Sequence, residues 1–191
     1  VLKDSKVEII AEGSDLIENI MRGLECFPDE DEVLILTSDI PMITPEALDD
    51  FVKKAKKLNA DFVYPIIRKE DTEKKYPGVK RTYVRVREGT FTGGNVVLVK
   101  AGSAKRCLAK AKEFFFYRKS PWKLARILGP FIVLKFLLGN LSIPEVEKRV
   151  YDIFEINARA VISDFPEIGS DVDKESDLEL ARKVLAREVY P

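Results

Sequence analysis

The stretch that decides the fold is Val33-Leu-Ile-Leu-Thr-Ser-Asp-Ile-Pro-Met-Ile-Thr44. Four consecutive apolar residues, Val33–Leu36, predict a strand that is buried on both faces, as in a parallel sheet. Pro41 cannot donate to a β-ladder, so the strand is expected to end before it. The Thr44–Glu46 segment then predicts a helix start, because it combines a capping side chain, a proline at the first helical position and an acid in the first turn.

Asp39 lies between this strand and this helix. Open α/β sheets bind ligands at the carboxyl ends of their strands, so Asp39 is the first candidate functional residue. The alternative is an acid that only forms the turn or caps the helix. Thr44 already provides a cap, but the local pattern leaves both interpretations open.

Similar patterns predict the remaining elements and the fold class. The expectation is an α/β protein: a three-layer α/β/α sandwich around a mostly parallel, twisted sheet. Residues 1–191 are expected to form a single domain, and residues 103–150 a helical insertion within it. In chain order, the patterns predict a strand at 7–10, helices after Asp15 and Thr44, a strand at 60–67, an exposed loop at 68–80, strands at 81–87 and 96–99, the helical stretch, a strand at 158–162 and a closing helix.

The composition narrows the class of function. The chain holds 32 basic and 32 acidic residues, so its net charge is zero and does not attract nucleic acid. Nucleic acid is therefore not expected as a partner. It contains no histidine, which excludes His-based triads and most zinc sites and leaves carboxylates, Lys, Arg and a hard cation for any catalysis. Cys26 and Cys107 lack metal-binding spacing and are expected as buried, reduced thiols in the cytoplasm. The charged fraction of 34%, with no glutamine, favours a thermophilic source.

Two further segments carry alternatives. The turn at Gly93, Gly94 and Asn95 lets backbone N–H groups approach a ligand closely, but it also suits a plain turn or a β-bulge. The arginines of 81–87 are expected on a solvated strand face, with phosphate binding as the alternative.

The segment 127–139 is apolar but too short and interrupted to cross a bilayer, which needs about 20 apolar residues. It is expected to pack on the sheet or across a homodimer interface. A wall for an apolar acceptor, or contact with a membrane surface, is the alternative, and membrane contact is not expected.

The segment Ser38-Asp39-Ile-Pro-Met-Ile-Thr-Pro-Glu46 resembles the motif Asp-x-Pro-(apolar)-(apolar)-Thr-Pro-Glu of nucleotidyltransferases with the GT-A-like fold, and among them the MobA-like NTP transferases. The resemblance implies a Rossmann-like fold and Mg²⁺ as cofactor. In that family the motif's Asp holds the Mg²⁺ that bridges the NTP phosphates. That role falls on Asp39, which becomes the expected catalytic, nucleotide-binding and metal-binding residue.

A second match lies near the carboxyl end. Ser170-Asp-Val-Asp-Lys-Glu-Ser-Asp-Leu178 is similar to the family's Asp-(Val/Ile)-Asp-Thr-Pro-Glu-Asp-Leu, with Lys-Glu-Ser in place of Thr-Pro-Glu. The resemblance places the second Mg²⁺ ligand at Asp173 and leaves Asp171 outside the metal pair. The alternative is that Asp173 or Ser176 caps the closing helix.

The resemblance also implies the two substrate sides of the site. A Gly turn opens a helix whose early polar residue contacts the base, which makes Gly13 and Asn19 the expected nucleotide-binding residues. The alternative places Asn19 on a solvated helix face. Gly93, Gly94 and Asn95 resemble the acceptor-binding loop of the wider superfamily.

The resemblance implies one feature that the sequence does not contain, namely a Gly-rich loop of the form Ala-Gly-Gly-x-Gly-x-Arg after the first strand. The expectation is that the chain lacks its amino end through truncation or disorder, because residues 7–10 have the pattern of an interior strand. The alternative is that the protein has lost this half of the fold. The predicted function is transfer of an NMP from an NTP to a phosphate or hydroxyl acceptor, with release of pyrophosphate. A non-catalytic nucleotide-binding or assembly domain is the alternative, and length disfavours a phospho-receiver domain.

Overall fold

The computed structural model describes residues 7–117 and 121–189. Six strands form one mixed sheet. They are β1 (Glu32–Leu36), β2 (Phe62–Arg68), β3 (Val84–Val86), β4 (Gly89–Gly93), β5 (Val96–Lys100) and β6 (Ala158–Ser163).

The helices are α1 (Leu16–Glu25), α2 (Pro45–Lys56), α3 (Lys69–Lys75), α4 (Ala101–Tyr117), α5 (Pro121–Leu128), α6 (Pro130–Leu137), α7 (Ile143–Phe154) and α8 (Glu175–Val189), with a short 3-10 helix at Pro166–Gly169. Helices α1 and α2 begin where the sequence predicts. Asp15 accepts from the Glu18 N–H at 2.8 Å, and Thr44 accepts from the Ala47 N–H at 3.2 Å. Ser142 and Glu145 form a capping box at α7.

The prediction of a mostly parallel sheet is not confirmed, because four of the five strand pairings in the described residues are antiparallel. Only β2 and β6 pair in parallel. The β3–β4 hairpin reverses the chain, so that β4 and β5 run opposite to β2. β5 lies between β1 and β2, and β2 pairs on both sides, with β4 and β5 on one side and β6 on the other. Val33–Leu36, which the sequence interpretation made the organising strand of the fold, pairs only with β5 within the described residues. An unbroken apolar run specifies burial, but it does not specify the direction of the neighbouring strand.

Strands β4 and β5 form one long strand that is broken between Gly93 and Val96. Ile66 pairs with Gly93 and Val63 pairs with Leu98, so the broken strand carries two more residues than β2 over the same span. The extra residues form a bulge, which is the alternative that the sequence left open for the Gly93–Asn95 turn. The bulge lies at the carboxyl end of β1, where the Thr37 N–H donates to the Asn95 carbonyl at 3.1 Å.

Helices pack against both faces of the sheet. On one face, α2 and the 3-10 helix cover β2, β5 and β6 through a fully apolar cluster that includes Phe51, Val63, Ile67 and Ile168. On the other face, α1 and α4 cover β1 and β5. The remaining part of that face, formed by β2, β4 and β6, lies under α7.

Four local predictions are wrong. Cys26, which was expected to be a buried thiol, is exposed. Residues 7–10 form no strand, and the Ile9 side chain is 93% exposed. Residues 68–80 are not only a loop, since they contain α3, which the buried residues Thr72 and Tyr76 anchor. The segment 127–139 does not pack on the sheet, because α6 buries no residue and Leu137 is 73% exposed. Its role at a dimer interface stays a prediction.

Within the described residues, no helix combines the length and apolar character needed to cross a membrane.

Candidate functional site

Three acidic side chains meet at the edge of the sheet where β1 and β6 end. One carboxylate oxygen from each of Asp39, Asp171 and Asp173 lies within 4.8 Å of the others. A backbone hydrogen bond of 2.9 Å from the Val172 N–H to the Asp39 carbonyl joins the two loops that carry them. The structure thus brings together Asp39 and Asp173, which the sequence predicted as a pair.

Asp171 is the acid that the sequence placed outside this pair, and the structure places it inside the cluster. Its carboxylate accepts from Arg81 Nη1, and its backbone carbonyl accepts from Arg81 Nη2 at 3.1 Å. The Arg81 side chain is only 9% exposed, and its Nε has no partner among the described residues. The sequence assigned Arg81 to a solvated face; the three-residue β3 begins only at Val84, and Arg81 instead turns inward beside the acids.

The acids repel one another in the absence of a cation. The negative charge of Asp171 is the main cause that raises the pKa of Asp173 above its ordinary value of 3.8, followed by desolvation, by a side-chain hydrogen bond with Asp171 and by the charges of Asp39 and Asp177. Asp173 is exposed, so a cation can reach its carboxylate from solvent.

The alternative was that Asp173 or Ser176 caps α8. In the structure, the side chain that accepts from backbone N–H groups at this helix start is that of Asp177. Asp177, in the first turn of α8, accepts from the Asp173 N–H at 3.2 Å and from the Lys174 N–H at 3.1 Å. These two hydrogen bonds to the buried Asp177 hold the backbone of Asp173 in place. This leaves the Asp173 side chain available to the acid cluster.

A cleft of about 800 Å³ opens beside the acid cluster, and both Asn19 and Asp39 line it. The Asn19 side-chain oxygen accepts from the Gly13 N–H at 2.5 Å, which fixes the turn before α1. The Asn19 amide nitrogen can then donate into the cleft. The structure therefore places Asn19 and Asp39 on one cleft, while the base contact itself stays a prediction.

The two glycines of the bulge have packing reasons for lacking a side chain. A Cβ on Gly93 would overlap the Tyr64 hydroxyl, and a Cβ on Gly94 would lie 2.7 Å from side-chain atoms of both Pro65 and Ile168. Gly94 and Asn95 line the same cleft as Asp39, whereas Gly93 lines a pocket on the other side of the bulge. The acceptor-binding role predicted for Gly93, Gly94 and Asn95 stays a prediction.

The donor set of the acid cluster suits a hard divalent cation. Mg²⁺ binds through one or two carboxylates together with waters and substrate phosphates. Asp39, Asp171 and Asp173 offer more oxygen donors than this requires, and one of them is already paired with Arg81. The residues present therefore fit Mg²⁺, with Asp39 and Asp173 as the unpaired ligands.

Comparisons with known proteins bear on the fold and the family of this chain. A family model described as "Guanylyl transferase CofC like" matches residues 1–92. A solved structure titled as a hypothetical transferase from Thermus thermophilus is 44% identical, with a TM-score of 0.82, and the match covers 87% of this chain and 71% of that one. The 2-C-methyl-D-erythritol 4-phosphate cytidylyltransferase (IspD) of Francisella tularensis shares the fold, with 11% identity, a TM-score of 0.54, and coverage of 90% of this chain and 69% of that one.

A search of curated proteins gives no significant match. The resemblance to MobA-like transferases is thus supported only at the level of the nucleotidyltransferase fold. This chain therefore shares a family with the Thermus protein, whereas the guanylyl transferase model matches only residues 1–92, less than half of the chain. The chain belongs to the same family as the Thermus thermophilus transferase, and residues 1–92 carry the sequence pattern of CofC-like guanylyl transferases.

Proposed function

We propose that this chain transfers a nucleotidyl group from an NTP to a phosphate or hydroxyl acceptor, with GTP as the first candidate for the donor. The observation that carries the proposal is the convergence of three carboxylates beside a nucleotide-sized cleft. The match to a guanylyl transferase family supports the choice of GTP.

The reaction requires positioning and charge neutralisation more than covalent chemistry by the protein. An acceptor oxygen forms a bond to the α-phosphorus, the bond from that phosphorus to the bridging oxygen breaks, and pyrophosphate leaves. Asp39 and Asp173 would hold Mg²⁺, which when bound offsets the negative charge of the phosphates. The base lies toward Asn19, whose amide nitrogen can donate to a carbonyl acceptor such as guanine O6. The acceptor lies toward Gly93, Gly94 and Asn95.

Arg81 has a positioning role in this proposal. Its guanidinium neutralises Asp171 and holds that loop from two points, the carboxylate and the backbone carbonyl. Because the neighbouring Asp173 is on the same loop, Arg81 also fixes the second predicted metal ligand relative to Asp39.

The test is calorimetric titration of the four NTPs in the presence and absence of Mg²⁺. GTP is expected to bind most tightly and only with Mg²⁺. Asp39→Asn and Asp173→Asn are each expected to weaken Mg²⁺-dependent binding by about tenfold or more, the loss of one charged contact of about 1.4 kcal/mol or more. Asp49→Asn is the matched control, because Asp49 is an exposed acid on α2 away from the cluster.

Two results would contradict the proposal. One is NTP binding that is independent of Mg²⁺, and the other is binding by Asp39→Asn that equals binding by Asp49→Asn. Measurement of pyrophosphate release in the presence of phosphorylated acceptors then distinguishes nucleotidyl transfer from non-catalytic nucleotide binding. Tight Mg²⁺-dependent GTP binding without pyrophosphate release would favour the non-catalytic nucleotide-binding alternative.

A further inference from the structure

A second pocket lies between α7 and the part of the sheet formed by β2, β4 and β6. Its volume is about 550 Å³, which is in the range of small-molecule binding sites. The wall is apolar for most of its area, with side chains such as Ile66, Phe91, Val146, Val150 and Ala160. The family resemblance and the acid cluster assign no role to this space.

The polar groups of the pocket are unevenly distributed. Glu147 and Arg159 are committed to each other at 2.7 Å, and Glu147 also accepts from the Ala160 N–H at 2.8 Å. The hydroxyl of Tyr64 makes no hydrogen bond within the described residues. It lies at the Gly93 end of the pocket, since a Cβ on Gly93 would overlap it. Thr92 pairs with Ile67, so its side chain is on the opposite face of the sheet. The free hydrogen-bonding capacity is therefore concentrated at one end.

That end adjoins the candidate active site. Gly93 lines this pocket, whereas its neighbours Gly94 and Asn95 line the cleft that contains Asp39. The bulge is thus the shared wall of the two spaces. Burial is the main cause that raises the pKa of Tyr64, and the second is the negative charge of Asp171, which agrees with a hydroxyl that lies near the acid cluster.

We propose that this pocket is a binding site for the apolar part of the acceptor, whose anionic or hydroxyl end lies at the acid cluster and accepts a hydrogen bond from Tyr64. The inference rests on the proposed function and narrows it. The acceptor class is a phosphate- or hydroxyl-bearing molecule that carries an apolar group, oriented with its polar end toward Gly93. The reverse orientation would place the polar end against apolar side chains and leave the Tyr64 hydroxyl without a partner.

The probes for this proposal are inorganic phosphate, butyl phosphate and hexyl phosphate, titrated against the whole chain with Mg²⁺. Each buried CH₂ contributes about 0.8 kcal/mol, so hexyl phosphate, with two more CH₂ groups, is expected to bind about 15-fold more tightly than butyl phosphate. Tyr64→Phe is expected to weaken both alkyl phosphates by the same factor of about 2–10, because it removes one hydrogen bond and leaves the apolar wall intact.

Two variants fill the pocket. Ala160→Leu and Val146→Phe each add apolar volume to its wall, and Val146 is 38% exposed, so a larger side chain is readily accommodated there. Both are expected to abolish the difference between hexyl and butyl phosphate while Mg²⁺-dependent GTP binding stays unchanged. Ala186→Leu is the matched control, because Ala186 is exposed on α8.

Equal affinity for the two alkyl phosphates in the parent chain would overturn the proposal, as would a chain-length difference that survives in both filled variants. GTP binding separates this failure from failure of the proposed function. If the chain shows no Mg²⁺-dependent GTP binding but still binds hexyl phosphate more tightly than butyl phosphate, the pocket proposal stands and the proposed nucleotidyl transfer fails. Intact Mg²⁺-dependent GTP binding without a difference between hexyl and butyl phosphate would overturn the pocket proposal and leave the proposed function in place.

Discussion

The two faces of the sheet differ in how completely their helices cover them. Under α2, the side chains of Phe51 and Ile67 are fully buried and belong to one continuous apolar cluster. Under α7, a pocket of about 550 Å³ remains over the same strand, β2. Successive residues of β2 point to opposite faces, so Val63 and Ile67 belong to the first layer while Tyr64 and Ile66 belong to the second.

This difference separates stability from ligand binding. In a tightly packed layer, removal of side-chain volume leaves a cavity and lowers the stability of the fold. A layer that already contains a pocket is less sensitive to small changes, and the space is available for a ligand. The acid cluster lies at the sheet edge, where both layers end, and is held by backbone hydrogen bonds between loops.

The largest effect should come from Phe51→Ala. Removal of a fully buried phenyl ring from the packed layer is expected to lower the free energy of unfolding by about 3–5 kcal/mol. Val146→Ala, on the pocket side, is expected to cost less than about 1 kcal/mol because Val146 is already part-exposed. Urea denaturation of both variants measures the difference. Similar losses in the two layers would show that the pocket side is packed as firmly as the other.

The second effect concerns Gly93, at the boundary of the pocket. Gly93→Ala should destabilise the fold by about 1–3 kcal/mol, because its Cβ would overlap the Tyr64 hydroxyl. Tyr64→Phe should restore part of this loss in the double variant, as a double-mutant cycle measures. Gly23→Ala is the control, since a Cβ there contacts nothing within 4 Å and lies inside α1, where Ala is favoured. The expected sign of the control is stabilisation.

A smaller effect involves Glu145 at the start of α7, the helix that covers the pocket. Lys135 is the main cause that lowers the pKa of Glu145 to about 2, followed by hydrogen bonds from the backbone and side chain of Ser142. A lowered pKa means that the ionised carboxylate stabilises the fold. This stabilisation is complete above the ordinary value of 4.5 and is lost as the pH falls toward about 2.

Glu145→Gln should therefore lower the melting temperature at pH 7 and have little effect at pH 2. Thermal unfolding followed by circular dichroism at both pH values checks this. A difference that persists at pH 2 would mean that shape, rather than charge, holds the start of α7. Glu46→Gln is the comparison variant, an exposed acid in the first turn of α2.

The smallest expected effect is a stabilisation, by replacement of Asp173 in the acid cluster. Because the pKa of Asp173 is raised, its ionised form is disfavoured in the folded chain without a cation. Asp173→Asn should raise the melting temperature slightly at pH 7, and the gain should disappear below the ordinary pKa of 3.8, where the carboxyl is protonated in both states. Added Mg²⁺ should reverse the order at pH 7. Destabilisation by Asp173→Asn without Mg²⁺ would show that the acids do not repel one another.

Much of the candidate site was predictable where the signal was a motif. Asp39 follows an apolar run and precedes a helix start, and Asp173 belongs to a second motif, so the structure finds both at one edge. Asn19 and Gly94 likewise lie on the predicted cleft. Asp171 and Arg81 were missed because their pairing joins residues 90 positions apart, and neither has a local pattern that distinguishes it from a surface charge.

The sequence by itself determined the elements whose signals are local. A cap such as Asp15, Thr44 or Ser142 accepts from an N–H three residues away, so the residues that form it lie close together in the sequence. The tertiary structure alone decided the antiparallel insertion of β5, the bulge at Gly93, the ion pair of Arg81 and the pocket under α7. Each of these depends on which distant segments meet, and an apolar run specifies that a segment is buried without specifying its partner.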